Sequence, residues 1–98
     1  ACLASRIPYG RSITLKLLKR INQAEEYLRK LGFRQVRVRD YGFLCRIELL
    51  KDDIPLLIQK RDGVVKKLKR LGYIYVTVDL QGYRTGSLNE MLKKRRLR

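Results

Sequence analysis

The distribution of apolar positions divides the chain into two similar halves. From Leu15 to Leu31, residues Leu17, Leu18, Ile21, Ala24, Leu28 and Leu31 recur at spacings of three and four. That is one apolar stripe on a helix. Thr14 suits the N-cap and Gly32 the position just past the C-cap. Residues 35–39 then alternate, with Gln35, Arg37 and Arg39 on one side and Val36 and Val38 on the other. Such a pattern predicts a strand with one polar face. Tyr41-Gly42 turns the chain into a second strand over 43–49, pairing as an antiparallel hairpin. Its apolar face is expected to carry Phe43, Cys45, Ile47 and Leu49, and its other face Leu44, Arg46 and Glu48. Asp53 before Ile54-Pro55 reads as a helix start. The helix is expected to break near Asp62-Gly63, resume through Val64, Val65, Leu68 and Leu71, and stop at Gly72. A third strand over 73–79 should point Ile74, Val76 and Val78 inward and Tyr75, Thr77 and Asp79 outward. Gly82 to Ser87 reads as a loop, followed by a short basic helix from Leu88.

An internal echo supports this division. Leu28-Arg-Lys-Leu-Gly-Phe33 matches Leu68-Lys-Arg-Leu-Gly-Tyr73 at a separation of 40 residues, and Val36, Val38 and Gly42 match Val76, Val78 and Gly82. Two helix–strand units of one design predict an α+β, two-layer α/β sandwich in the order α-β-β-α-β, with a small mixed sheet and both helices on one face. The chain of 98 residues is read as a single domain, with 1–13 as a linker segment and 91–98 as a basic tail.

Charge changes the picture more than hydropathy does. There are 24 Lys and Arg against 9 Asp and Glu, a net of +15. Such a surface attracts polyanions, so phosphate-bearing partners are expected; a basic surface without a specific partner is the alternative. Two cysteines and no histidine cannot fill a tetrahedral zinc site. Cysteine usage this sparse gives no disulfide framework and fits a reducing, cytoplasmic compartment. No apolar run approaches the ~20 residues that span a bilayer. The chain begins Ala1-Cys2-Leu3 without an initiator Met, so a fragment of a longer protein is expected.

With the helices on the valine face, the opposite face presents Arg37, Arg39, Arg46, Glu48, Tyr75, Thr77 and Asp79. Clustered guanidinium forks suit a phosphate or carboxylate. The alternative is a solvated face crossed by ion pairs such as Arg37 with Glu48 or Arg46 with Asp79. Glu25 borders the apolar stripe, where its carboxylate either enters a site or pairs with Arg29 as a surface acid. Cys45 reads as a small core hydrophobe. Cys2 lies beside Ser5 and Arg6, and a nearby cation raises the thiolate fraction of a thiol.

The opening Cys2-Leu3-Ala4-Ser5-Arg6-Ile7-Pro8-Tyr9-Gly10 resembles the segment that follows the PP-loop domain of the ATP-dependent sacrificial sulfur transferases, the LarE family. Ala24-Glu25-Glu26-Tyr27-Leu28-Arg29, Leu31-Gly32-Phe33, Val36-Arg37-Val38-Arg39 and Gly82-Tyr83-Arg84-Thr85-Gly86-Ser87-Leu88-Asn89-Glu90 are similar to the same family, in the same order. The resemblance implies a C-terminal substrate-binding and sulfur-donor domain of a larger PP-loop enzyme that makes the organic part of the nickel-pincer nucleotide cofactor. It implies that an N-terminal PP-loop domain uses ATP and magnesium to adenylate a substrate carboxylate. A cysteine in the position of Cys2 then gives up its sulfur and ends as dehydroalanine. It places Ser5, Arg6, Arg37 and Arg39 at the substrate phosphate, Glu25 near an active-site carboxylate, and Glu48 as an additional acidic candidate. No metal ligand is assigned on this chain. The family's Ser-Gly-Gly-x-Asp-Ser phosphate loop is not in this sequence, so neither ATP binding nor activity alone is expected of it. The implied partners are the N-terminal ATPase domain, a mononucleotide substrate and further copies of the chain, without a membrane. A basic nucleic-acid-binding or oligomerisation domain of a tRNA-thiolating PP-loop enzyme is the alternative.

Overall fold

The computed structural model describes residues 14–84. In chain order the elements are helix α1 (Leu15–Lys30), strands β1 (Val36–Asp40) and β2 (Leu44–Leu49), helices α2 (Ile54–Gln59) and α3 (Arg61–Arg70), and strand β3 (Tyr75–Val78). A 3-10 turn over Lys51–Asp53 leads into α2. β1 pairs antiparallel with β2, and β2 pairs parallel with β3, giving one mixed sheet with β2 in the centre. The predicted fold class and element order are therefore observed.

Local chemistry sets the helix ends. Thr14 caps α1, its hydroxyl accepting from the Leu17 N–H at 3.1 Å. At the other end Gly32 takes φ +109°, open to glycine and strained for other residues. The Phe33 N–H reaches back to the Leu28 carbonyl and the Gly32 N–H to Arg29. α3 repeats the arrangement: Gly72 has φ +116°, Tyr73 bonds back to Leu68, and Gly72 to Lys69. This double bond pattern satisfies carbonyls that a helix end leaves open. The echo in the sequence is thus a repeated helix stop that drops an aromatic, Phe33 or Tyr73, into the core.

The core lies between the helices and the valine face. Ala24 and Leu28 of α1 and Val64 and Leu68 of α3 meet Val36, Val38, Cys45, Ile47 and Leu49, with Phe33, Tyr73 and Leu57 filling the margins. All of these are buried. Truncating one of the leucines to Ala costs about 2–5 kcal/mol.

Three expectations need correction. The helical break falls at Lys60, two residues before Asp62, and Gly63 sits inside α3. A Cβ there would lie 3.4 Å from the Tyr27 hydroxyl, an ordinary contact, so a small side chain would fit between α3 and α1. Asp53 heads α2 without a side-chain cap bond, and the preceding 3-10 turn makes the entry. Phe43 and Ile74 are exposed rather than inward, because each precedes the first ladder residue of its strand. The expected loop to Ser87 beyond Arg84, the basic tail, and Cys2, Ser5 and Arg6 lie outside the described residues.

A candidate anion-binding face

The strand alternation carries Arg37 and Arg39 on β1, Arg46 and Glu48 on β2 and Thr77 on β3 to the face away from the helices. Register places Arg37 opposite Glu48, Arg39 opposite Arg46, and Arg46 beside Thr77. Two guanidinium groups directly opposite each other repel. Glu48 offsets this repulsion by dividing its carboxylate. One oxygen accepts from Arg39 Nη2 at 3.2 Å and the other from Arg46 Nη2 at 3.0 Å. Glu48 is fully buried and Arg39 is 5% exposed, so this is an internal ionic cluster rather than a solvated sheet face.

The remaining groups surround it. Arg46 also lies 3.7 Å from an Asp79 oxygen, which Arg84 approaches at 3.3 Å. Arg37 donates to the Tyr83 hydroxyl at 3.1 Å and lies over that ring. Arg46 stands 5.7 Å from the centre of the Tyr41 ring. The expected Arg46–Asp79 pair is present. Arg37, although opposite Glu48, directs its fork to Tyr83. Among the described residues, four guanidinium groups, Arg37, Arg39, Arg46 and Arg84, and two carboxylates, Glu48 and Asp79, lie on this face. Guanidinium forks gathered in this way suit a phosphate.

Glu25 occupies different ground. It is fully buried under α1. One oxygen accepts from Arg29 at 3.0 Å, and the other from the Val38 N–H at 2.9 Å. It therefore holds α1 to the backbone between Arg37 and Arg39, while those side chains leave the strand on the other side. Its expected pairing with Arg29 is present, but as one arm of a buried link.

A second buried carboxylate, Asp40, was not singled out by the sequence reading. It accepts from Arg20 Nε at 2.9 Å and Nη2 at 2.7 Å, from the Tyr73 hydroxyl at 2.6 Å and from the Gly42 N–H at 2.8 Å. Arg20 also donates to the Gly42 carbonyl and lies over the Tyr73 ring at 4.2 Å. Burial, then the bond to Asp40, push the Tyr73 hydroxyl well above its usual range. The signal was present in the alternation: Asp40 continues the inward series of Val36 and Val38. Burial likewise pushes the Cys45 thiol up to about 12. Among the described residues, no group of three or more His, Cys, Asp or Glu side chains is placed to hold a metal ion, and no helix is long and apolar enough to cross a membrane.

No family model matches the chain. Three curated proteins are similar to it. An uncharacterized protein of Synechocystis sp. is 46% identical over 95% of this chain and 35% of its own length. The pyridinium-3,5-bisthiocarboxylic acid mononucleotide synthase of Lactiplantibacillus plantarum is 42% identical over 97% of this chain and 34% of its own length. An uncharacterized protein of Methanocaldococcus jannaschii is 37% identical over 86% of this chain and 33% of its own length. The chain spans about a third of the length of these relatives, and 97% of it aligns with the pyridinium-3,5-bisthiocarboxylic acid mononucleotide synthase.

Proposed function

We infer that this chain is the substrate-binding and sulfur-donor part of an ATP-dependent sulfur transferase acting on a pyridinium mononucleotide. The observation that carries the reading is the clustering of Arg37, Arg39 and Arg46 on one sheet face, with Glu48 held between Arg39 and Arg46. The similarity to a mononucleotide synthase supports it, since the product named for that relative is a mononucleotide. In this reading Arg37 and Arg39, with Ser5 and Arg6, take the substrate phosphate. Glu48 acts as a positioning residue: its divided carboxylate orients the forks of Arg39 and Arg46 before an anion arrives, which lowers the ordering that binding requires. Glu25 fixes β1 through the Val38 N–H and so sets where Arg37 and Arg39 begin. Cys2 attacks the activated carboxylate as a thiolate and leaves its sulfur on the substrate. ATP and magnesium act on the PP-loop domain of the longer enzyme.

NMR titration of the full chain with a pyridinium carboxylate mononucleotide tests the anion face. Shifts should concentrate on the side-chain Nε–H groups of Arg37, Arg39 and Arg46. Arg37→Ala and Arg39→Ala should each weaken binding by about 1.5–3 kcal/mol. Unchanged affinity in the double variant excludes this face as the phosphate site.

A further inference from the structure

A second basic region lies on the helical layer, away from the arginine face. An open cleft of about 600 Å³ runs between the N-terminal half of α1 and the C-terminal end of α3, lined by Thr14, Lys16, Leu17, Lys19, Arg20, Gln23, Leu71 and Gly72. Three of these side chains are cations and none is acidic. Lys69 and Arg70 directly precede Leu71 in the last turn of α3. Lys16, Lys19, Lys69 and Arg70 are exposed and form no ion pair among the described residues. The arginines of the sheet face, by contrast, share two carboxylates.

The same end of the molecule displays aromatic rings. Phe43 is 56% exposed and Tyr75 59%, and the two meet edge to face at 6.1 Å. Tyr75 follows Gly72 of the cleft by three residues, a reach of at most about 11 Å. Phe43 follows Gly42, whose carbonyl holds Arg20 of the cleft. Unpaired cations beside exposed rings are the combination that binds a single nucleic-acid strand, cations tracking the phosphates and rings stacking on bases.

We propose that this end of the molecule is a binding site for a single-stranded polynucleotide, with Lys16, Lys19 and Arg70 on the phosphates and Phe43 and Tyr75 on bases. The site is independent of the mononucleotide reading, since it uses none of the sheet-face arginines.

Fluorescence anisotropy with a labelled 12-nucleotide RNA at low salt tests it on the full chain. Lys16→Glu/Lys19→Glu should weaken binding about tenfold or more and flatten its salt dependence. Lys51→Glu/Lys60→Glu makes the same charge change at the opposite end of the sheet and should alter affinity less than twofold. Phe43→Ser/Tyr75→Ser should cost about tenfold for the RNA but nothing for inorganic polyphosphate, which offers no base to stack. Circular dichroism should report unchanged folding for all three surface variants. Equal losses in the two lysine pairs would reduce the effect to general charge attraction and overturn the site. Equal RNA affinity in the aromatic variant, or competition by anionic vesicles as effective as unlabelled RNA, would overturn it as well.

Discussion

Asp40→Ala removes the acceptor at the junction of the two helix–strand units. In the intact protein one buried carboxylate takes hydrogen bonds from Arg20, Tyr73 and Gly42. Breaking a buried ion pair from one side costs about 3–5 kcal/mol, because the partner charge stays behind. Arg20 retains some exposure, its side chain being 20% accessible, so the lower half of that range applies. The Tyr73 hydroxyl is buried and loses the carboxylate to which it donates, adding about 1–3 kcal/mol. A loss of about 4–7 kcal/mol is therefore expected, out of a total of about 5–15 kcal/mol for a small domain. At about 4–8 °C per kcal/mol, the midpoint should fall by at least 15 °C. Urea unfolding followed by circular dichroism measures the free energy, and a thermal melt measures the midpoint. The second arm separates mechanism from generic damage. Tyr73→Phe alone should cost about 1 kcal/mol, but in the Asp40→Ala background it should be neutral or stabilising, since it removes an orphaned hydroxyl. Additive losses in the double variant would refute the assignment of Asp40 as the shared acceptor.

Two further outcomes follow from Cys45. Its thiol ionises near 9.0 in the unfolded chain and only near 12 in the folded one. Stability should thus be level below pH 9 and fall by about 1.4 kcal/mol per pH unit above it until about pH 12. In urea titrations Cys45→Ala should remove the slope between about pH 9 and 10 and about half of it above pH 10, where the raised Tyr73 hydroxyl adds an equal part, and an unchanged slope would contradict the assignment. Cys45 is also buried against the helices, so a maleimide should label it only as fast as the protein opens, and labelling at the rate of a free thiol under native conditions would mean that β2 is shifted by one residue.

Most of the fold was legible because local signals agreed with the long-range ones. Thr14, Gly32 and Gly72 act at the helix ends where their conformational preferences predict, and the alternation of Val36–Val38 and Cys45–Ile47–Leu49 selects the buried face. Periodicity failed at strand ends. It assigns a side to Phe43 and Ile74, but burial also requires an element above that side, and both residues stay open. It also failed for charge. A period-2 reading sorts Glu48 onto the polar face correctly, yet says nothing of its burial between Arg39 and Arg46. That burial depends on register, which put Arg39 opposite Arg46. Arg20 likewise borders the helical stripe at a spacing that sequence alone reads as surface, until Asp40 is placed beneath it.

The central claim, that the chain presents a phosphate-anchored substrate to a sacrificial cysteine, is tested most directly by mass. The chain joined to the proposed ATP-binding PP-loop domain would be given ATP, magnesium and the carboxylate mononucleotide for one turnover, then measured intact. The sulfur of Cys2 would bond to the carbonyl carbon of the acyl adenylate as AMP leaves, and loss of the Cys2 Cα proton with cleavage of the Cβ–S bond would leave dehydroalanine on the chain and a thiocarboxylate on the product. The account predicts a loss of roughly 34 Da, one hydrogen sulfide, mapping to Cys2 and absent from Cys2→Ala. Product formed with the protein mass unchanged would contradict it and require another source of sulfur.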